Sequence, residues 1–405
     1  MGLLTRIGLT CLALGASAVA NATDWQLALD VRAVASNGRP SFLADDQGKL
    51  RFDEDHQGLR LGRLRMALDQ PLGELFAVHV DASAWDGDDK NPIDLTEAWL
   101  EFRPYPRGGY RTRLRLGAFY PPLSLENRAR GWESPYTLTP SAISAWIGEE
   151  VRTVGLEAQV EWLGTRLGHA FDLQFTAAAF GWNDPAGTML ASHGFAFHDR
   201  QTTLFGRVGE SPQDPALARK ELFREMDGRA GFHVGAQVRY HDRAVLNVLH
   251  FDNRADPREY DPAIRDFAWL TRFDAAALRV ESDRGWVGIA QALAGDTVIA
   301  PGPWLDWRFD SQSLLLGRRI GGHTVAARYD AFRVVLENNP SRPGSERGHA
   351  NALAWSFEND GPWRFALEWL RVSSQVRART LAGASPLATE SQLQFSARYA
   401  INGSF

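Results

Sequence analysis

Cysteine is almost absent from this chain: Cys11 is the only one in 405 residues. It lies inside an N-terminal stretch that reads as a secretory signal peptide. Arg6 supplies a short positive region, Ile7 to Val19 is mostly small and apolar, and Ala20-Asn21-Ala22 matches an A-x-A cleavage site. Cleavage of residues 1–22 is expected, leaving a mature chain 23–405 that begins at Thr23 and has no cysteine. A disulfide framework, a thiolate metal ligand and a cysteine nucleophile are then excluded. Cys11 stands near the start of the apolar stretch, which argues against a lipidated cysteine.

Other absences narrow the class further. Only Lys49, Lys90 and Lys220 are lysine, and arginine makes up the rest of the 44 basic residues. No run of about 18 apolar residues follows the signal, so a helical membrane span is excluded. G-x-G-x-x-G, G-x-S-x-G and H-E-x-x-H are missing, so no catalytic residue, metal site or cofactor is expected. The ten histidines are scattered without ligand spacing, His79 and His233 among them. A net charge of −5 argues against a nucleic-acid partner. No Pro/Gly/Ser-rich linker divides residues 23–405, which are expected to form one domain.

What the chain does have is a period of two. Segments of about ten residues alternate apolar and polar side chains, as strands with one apolar and one polar face do. Trp25, Leu27, Leu29 and Val31 alternate with Gln26, Ala28, Asp30 and Arg32. Trp363, Phe365, Leu367 and Trp369 alternate with Arg364 and Glu368. In the final segment, Leu393, Phe395, Ala397, Tyr399 and Ile401 oppose Gln394, Ser396 and Arg398. About sixteen such segments run from 24–34 to 390–402, with the phase ambiguous at 244–252 and 286–295. Short connections alternate with long ones at 35–57, 120–150, 183–230, 253–265 and 336–348. Outer-membrane barrels alternate loop length in this way, with short periplasmic turns and long external loops. The expected fold is therefore all-β: a transmembrane antiparallel up-and-down β-barrel of about sixteen strands. Phe405 falls in phase with the apolar face, and this resembles the signal by which the barrel-assembly machinery recognises bacterial outer-membrane proteins.

Two regions are candidates for function. On strand 110–119, Arg111, Arg113 and Arg115 point the same way, about 7 Å apart in succession. Like charges in a row need water or facing carboxylates. Arg60 and Arg65 on the preceding hairpin extend the cluster. One reading is a cationic wall that attracts anions; the other is a row that packs on acidic residues and holds a loop in place. The loop 120–150 carries Glu126, Arg128, Arg130, Glu133, Glu149 and Glu150 together with Trp132, Tyr136 and Trp146. A loop this long and aromatic packs on something. The barrel interior is the expected place, with loop carboxylates facing the arginine row across an aperture. The alternative is an external cap. Asp86, Asp88 and Asp89 read as a hydrophilic loop tip, and Pro212–Met226 as a short amphipathic loop helix.

The run Leu95-Thr96-Glu97-Ala98-Trp99-Leu100-Glu101-Phe102, followed by Arg113-Leu114-Arg115-Leu116-Gly117-Ala118-Phe119-Tyr120-Pro121-Pro122-Leu123-Ser124-Leu125-Glu126, resembles porins of the phosphate-selective O/P type. The resemblance implies a sixteen-stranded, homotrimeric porin of the Gram-negative outer membrane, in contact with lipid and lipopolysaccharide, whose third external loop enters the pore. Tyr120-Pro121-Pro122-Leu123-Ser124 departs from the family pattern, and with three lysines the family's lysine-rich wall is missing. The architecture carries over and phosphate does not. The expected function is passive diffusion of small hydrophilic solutes or ions, with a preference for anions. The alternatives are a barrel enzyme, for which no Ser/His/acid set falls in phase, and a non-conducting barrel plugged by loop 183–230.

Overall fold

The computed structural model describes residues 22–44, 47–86, 93–208, 221–263, 266–300, 304–338 and 344–404. Sixteen strands form one closed antiparallel barrel. They are β1 (Asp24–Ser36), β2 (Gly58–Leu72), β3 (Phe76–Ala84), β4 (Asp94–Phe102), β5 (Tyr110–Phe119), β6 (Thr153–Trp162), β7 (Phe171–Gly181) and β8 (Gly231–Tyr240) in the first half. The second half is β9 (Ala244–Asp252), β10 (Leu270–Glu281), β11 (Trp286–Ile299), β12 (Leu305–Ile320), β13 (His323–Leu336), β14 (Glu346–Glu358), β15 (Trp363–Val376) and β16 (Leu387–Ser404). Each pairs with its sequence neighbours. The barrel closes where β1 meets β16, in a register from Asp24↔Ser404 to Ser36↔Gln392. Among the described residues the barrel sheet has no unpaired edge, which is the condition for crossing a bilayer with strands.

The alternation turns one face of each strand to lipid and the other to the lumen. Leu27, Leu29, Leu116, Phe175, Leu314, Leu316, Leu367 and Phe395 lie exposed on the outer surface. Near the short turns the outer face becomes aromatic, with Phe76, Tyr110, Phe171, Tyr240, Trp286, Trp363 and Tyr399. Amphipathic rings of this kind settle at a headgroup boundary.

The expected strands are all present, including the two of ambiguous phase. The ambiguity has a physical cause. On β9, Leu246 and Val248 face outward while Val245, Leu249 and Phe251 are buried inside. Both faces are apolar because this side of the lumen is not filled with water. Loops 120–150 and 183–208 and the described part of loop 35–57 fold back into the barrel. Around helix α1 (Ala142–Glu150), whose nine residues are all buried, lie the inward side chains Phe251, Phe273, Leu293, Phe309, Phe332, Leu370 and Val372. Trp146 meets Phe273 and Phe309 edge to face, at 5.4 and 5.1 Å between ring centroids. The lumen is therefore not lined by polar faces throughout: its long-loop half, from β9 to β15, is a packed core.

A second helix, α2 (Thr188–His193), lies in loop 183–230. The helix expected over Pro212–Met226 is not seen in its described part. Glu221 to Met226 is irregular, and Leu222 is buried beside Met189 and Val208 instead. Its remainder, Asp88, Asp89, Phe405 and residues 1–21 lie outside the described residues.

The lipid face makes a depth-dependent prediction. Phe175→Arg, flanked on the outer face by Leu173, Ala177, Val160 and Ala236, should lower the stability of barrels folded into lipid vesicles by about 2–4 kcal/mol. Leu387→Arg, at the long-loop rim, should cost about 0–1 kcal/mol. Urea titrations of both variants check the difference.

Candidate pore constriction

Loop 120–150 leaves β5 at Phe119 and is tied across the lumen strand by strand. Asn247 on β9 donates to the carbonyls of Pro122 (2.6 Å) and Leu123 (3.2 Å). The Gln291 side-chain oxygen on β11 accepts from the Leu125 amide at 3.1 Å. Arg328 on β13 donates to Glu126 (3.1 Å), to the Thr137 hydroxyl (3.1 Å) and to the Thr139 carbonyl (2.6 Å). Glu368 on β15 accepts from the amides of Leu138 and Thr139 at 2.7 and 3.1 Å. Ser141 caps α1, and Asp330 and Glu126 accept from the amides of Ala142 and Ser141 at that end. Carboxylates placed there complement the helix dipole.

The other end of α1 is acidic as well. Burial drives the Glu150 carboxyl up to about 7, and Glu149 beside it adds to the rise, against hydrogen bonds from the Met189 amide, the Trp146 indole and the Leu190 amide. Burial would also raise Glu149, but His193 and His198 hold it well below the usual carboxylate range.

The loop does not fill the whole cross-section. Between its Trp132–Pro140 side and the wall formed by β15, β16, β1 and β2 lies a cavity of ≈ 50 Å³. Barrel closure decides its lining. Register sets Arg364 opposite Arg398, Arg398 opposite Asp30, and Asp30 opposite Arg63. Three guanidinium groups and one carboxylate thus stand in one inward row on four adjacent strands. Like charges directly opposite each other destabilise a sheet, so this row requires outside carboxylates. One arrives on a loop, Glu133, while a second loop carboxylate, Asp199, serves the neighbouring Arg32 at 2.6 Å and Arg51 at 2.9 Å. Glu133 binds Arg63 at 3.0 Å and also pairs with Arg398. Burial raises the Glu133 carboxyl, but Arg398 and Arg63 outweigh it and bring it down to about 2. Arg65 is held from behind by Asp81, at 2.7 Å from its Nε. Arg364 donates to the Pro135 carbonyl at 3.0 Å, and its Nε has no partner among the described residues.

Glu133 is aimed by strained backbone. Gly131 and Trp132 both have positive φ, 72° and 56°. For a tryptophan this region is unfavourable. Trp132 is held there by stacking on Tyr120 at 4.3 Å and by donating from Nε1 to the Ser144 carbonyl at 2.9 Å. A Cβ on Gly131 would fall 2.4 Å from Arg65 Nε, so the turn presses on the basic wall.

The residues singled out in the sequence do not come together at one place. Arg65 and Glu133 line the cavity. Arg111, Arg113 and Arg115 stand on β5, each beside a carboxylate of a neighbouring strand. Arg111 pairs with Glu161 at 3.1 Å, Arg113 with Glu101, and Arg115 with Glu157 at 2.7 Å. Arg239 shares Glu161 at 3.5 Å. None of the loop carboxylates meets this row. Glu126 goes to Arg328, Glu133 to Arg63 and Arg398, Glu149 to His193, and Glu150 to the amides that open α2. Arg128 is exposed, and Arg130 pairs with Asp69 at 2.7 Å. Arg60 lies 3.8 Å from Asp86 near the long-loop rim. His79 and His233 are satisfied by Asp69 at 2.6 Å and Glu157 at 3.1 Å.

Sequence reasoning passed over Arg32, Arg63, Arg364 and Arg398 as constriction residues. Their inward phase was readable. Their convergence follows only from the closure of the first strand on the last.

Two predictions follow from the tethers. Arg328→Ala leaves Glu126 and Asp330 buried without their cation, which should cost about 3–5 kcal/mol in urea titrations and open loop 120–150 to protease before the barrel melts. Glu150 holds its proton in the folded state from its ordinary 4.5 up to about 7, so its contribution to stability is lost as pH rises through that window. Hydrogen exchange at Met189 and Leu190, corrected for intrinsic rates, should be slower at pH 5 than at pH 8, and Glu150→Gln should remove the difference.

No protein-family model matches the chain, and no curated protein matches it in sequence. Among solved structures it is similar to the outer membrane channel DcaP of Acinetobacter baumannii, with 11% identity over 94% of this chain and 96% of that one and a TM-score of 0.53. It is also similar to an anion-selective porin from Comamonas acidovorans, with 11% identity over 94% and 99% of the two chains and a TM-score of 0.50. At this identity the likeness is one of fold, and the fold shared is that of outer-membrane channel barrels.

Proposed function

We propose that this chain is an outer-membrane channel for small hydrophilic anions, with its constriction between loop 120–150 and the wall of β15, β16, β1 and β2. The observation that carries the reading is the row Arg364, Arg398, Asp30, Arg63. The cavity there is lined by Arg32, Arg63, Arg65, Arg364 and Arg398 against Asp30, Glu133 and Asp199. Arg364 holds the surplus, with a backbone carbonyl and no carboxylate as its partner among the described residues. A surplus cation beside low-dielectric walls raises the local concentration of anions and repels cations.

Phosphate is not proposed as the solute. Among the described residues Lys49 is the one lysine, and it is buried against Glu346, outside the cavity. The reading includes a signal peptide 1–22 removed on export, contact with lipid and lipopolysaccharide, insertion by the barrel-assembly machinery, and the homotrimer that the resemblance implies.

A second reading, a non-conducting barrel, is favoured by one observation: loop 183–208 and the described part of loop 35–57 enter the lumen beside loop 120–150, joined by a bridge between Leu50 and Phe197. Planar bilayers separate the two. The channel reading expects ion current and, in a KCl gradient, a reversal potential of anion selectivity. Arg364→Ala should shift that potential toward cations. Arg111→Ala with Arg113→Ala should shift it less, since both side chains stand beside carboxylates. A folded barrel without current overturns the channel; cation selectivity in the wild type overturns the anion preference.

A further inference from the structure

We propose that Arg63 and Arg398 form a binding seat for the carboxylate group of a small solute, and that Glu133 is its built-in occupant, which the solute must displace to pass. The inference rests on the reading of the cavity as part of an anion channel and names the class of anion.

Glu133 already shows what the seat accepts. One carboxylate oxygen takes a hydrogen bond from Arg63 at 3.0 Å and the other meets Arg398. A planar group with two oxygens bridges two guanidinium forks, the geometry in which arginine holds carboxylates most strongly. The seat is built into the wall. Arg63 is only 5% exposed and is locked by the Ser83 hydroxyl at 2.7 and 3.0 Å and by the Gly131 carbonyl at 2.8 Å. Its occupant is reachable: Glu133 is 22% and Arg398 18% exposed, both on the lining of the cavity. Among the described residues Glu133 is the one hydrogen-bond partner of the Arg398 side chain. Directly across from Arg398 stands Arg364, whose guanidinium group has an unused Nε. A solute with a second carboxylate finds there a second cation that Glu133 does not reach.

The backbone around Glu133 limits how the seat empties. The Gly131 carbonyl accepts from Arg63 and from Gln201 (2.6 Å), and the Trp132 carbonyl accepts from Asn127 at 2.8 Å. The turn is therefore pinned on both sides. Only the side chain of Glu133 has to swing into the cavity, a rotamer change and not a loop movement. An internal carboxylate competes with the external one, so the apparent affinity for a solute is reduced by the fraction of time the seat is free.

The test measures binding and conduction separately. Succinate is titrated calorimetrically into the detergent-solubilised, folded full-length barrel. Glu133→Gln empties the seat of its charge and should tighten succinate binding at least tenfold over the wild type. Arg398→Gln in the Glu133→Gln background should abolish that gain. Glu133→Asp, which keeps the charge, should stay within about threefold of the wild type. Heat-modifiable migration in gels confirms that each variant is folded. In bilayers, Glu133→Gln should lower the succinate concentration that half-blocks chloride current by a similar factor. Equal succinate affinity in the wild type and Glu133→Gln overturns the seat, whether or not the barrel conducts. Tightened binding without any current keeps the seat and overturns the channel.

Discussion

The pairing of β1 with β16 is the contact on which the rest of this molecule depends. Thirteen residue pairs, from Asp24↔Ser404 to Ser36↔Gln392, join the two ends of the described chain. In a bilayer an open sheet edge would leave its amide and carbonyl groups without water, so closure is a requirement of the solvent. Closure also has a chemical result. It sets β15 and β16 beside β1 and β2, and so places Arg364 and Arg398 in one row with Asp30 and Arg63. The same constraint that makes the barrel possible in lipid concentrates positive charge on one side of its lumen.

That charge needs compensation, and the compensation organises the interior. Asp199 and Glu133 reach the basic wall from two different loops. The opposite side of the lumen is dry, with α1 packed among phenylalanines from β9, β10, β12 and β13. One loop segment thus serves two environments. Its helix is held by apolar burial and by capped ends, and its Trp132–Pro140 stretch borders the cavity lined by guanidinium groups. Moving charges out of water is expensive unless partners are in place. The buried tethers Arg328, Asp330 and Glu368 meet that condition by binding loop backbone and loop carboxylates together. The loop is a structural element of the barrel and borders its basic cavity.

Much of this was legible in the residues. Each strand is marked by alternation, because lipid on one side and lumen on the other select for opposite side chains at a period of two. Loop 120–150 was marked by Trp132, Tyr136 and Trp146, too many aromatics for a segment in free solution. The phase at 244–252 was unclear because Phe251 and Leu249 pack on a loop that sequence alone does not locate. The arginines of β5 stood out as Arg111, Arg113 and Arg115 because they are close in sequence. Arg364, Arg398 and Arg63 did not, because they are distant in sequence and adjacent only across the closure.

By itself the sequence determined the class of fold, the number of strands, which face of most strands meets lipid, and which loop has to be buried. Those properties are local: they follow from side-chain alternation and composition along a single strand or loop. Only the tertiary structure decided which charges meet. A cross-strand neighbour is set by register and closure, and a loop's partner by where it lands in the lumen. The lining of the basic cavity, the pairing of Glu133 with Arg63 and Arg398, and the placing of Arg364 opposite Arg398 all arise from contacts between residues that the chain keeps far apart.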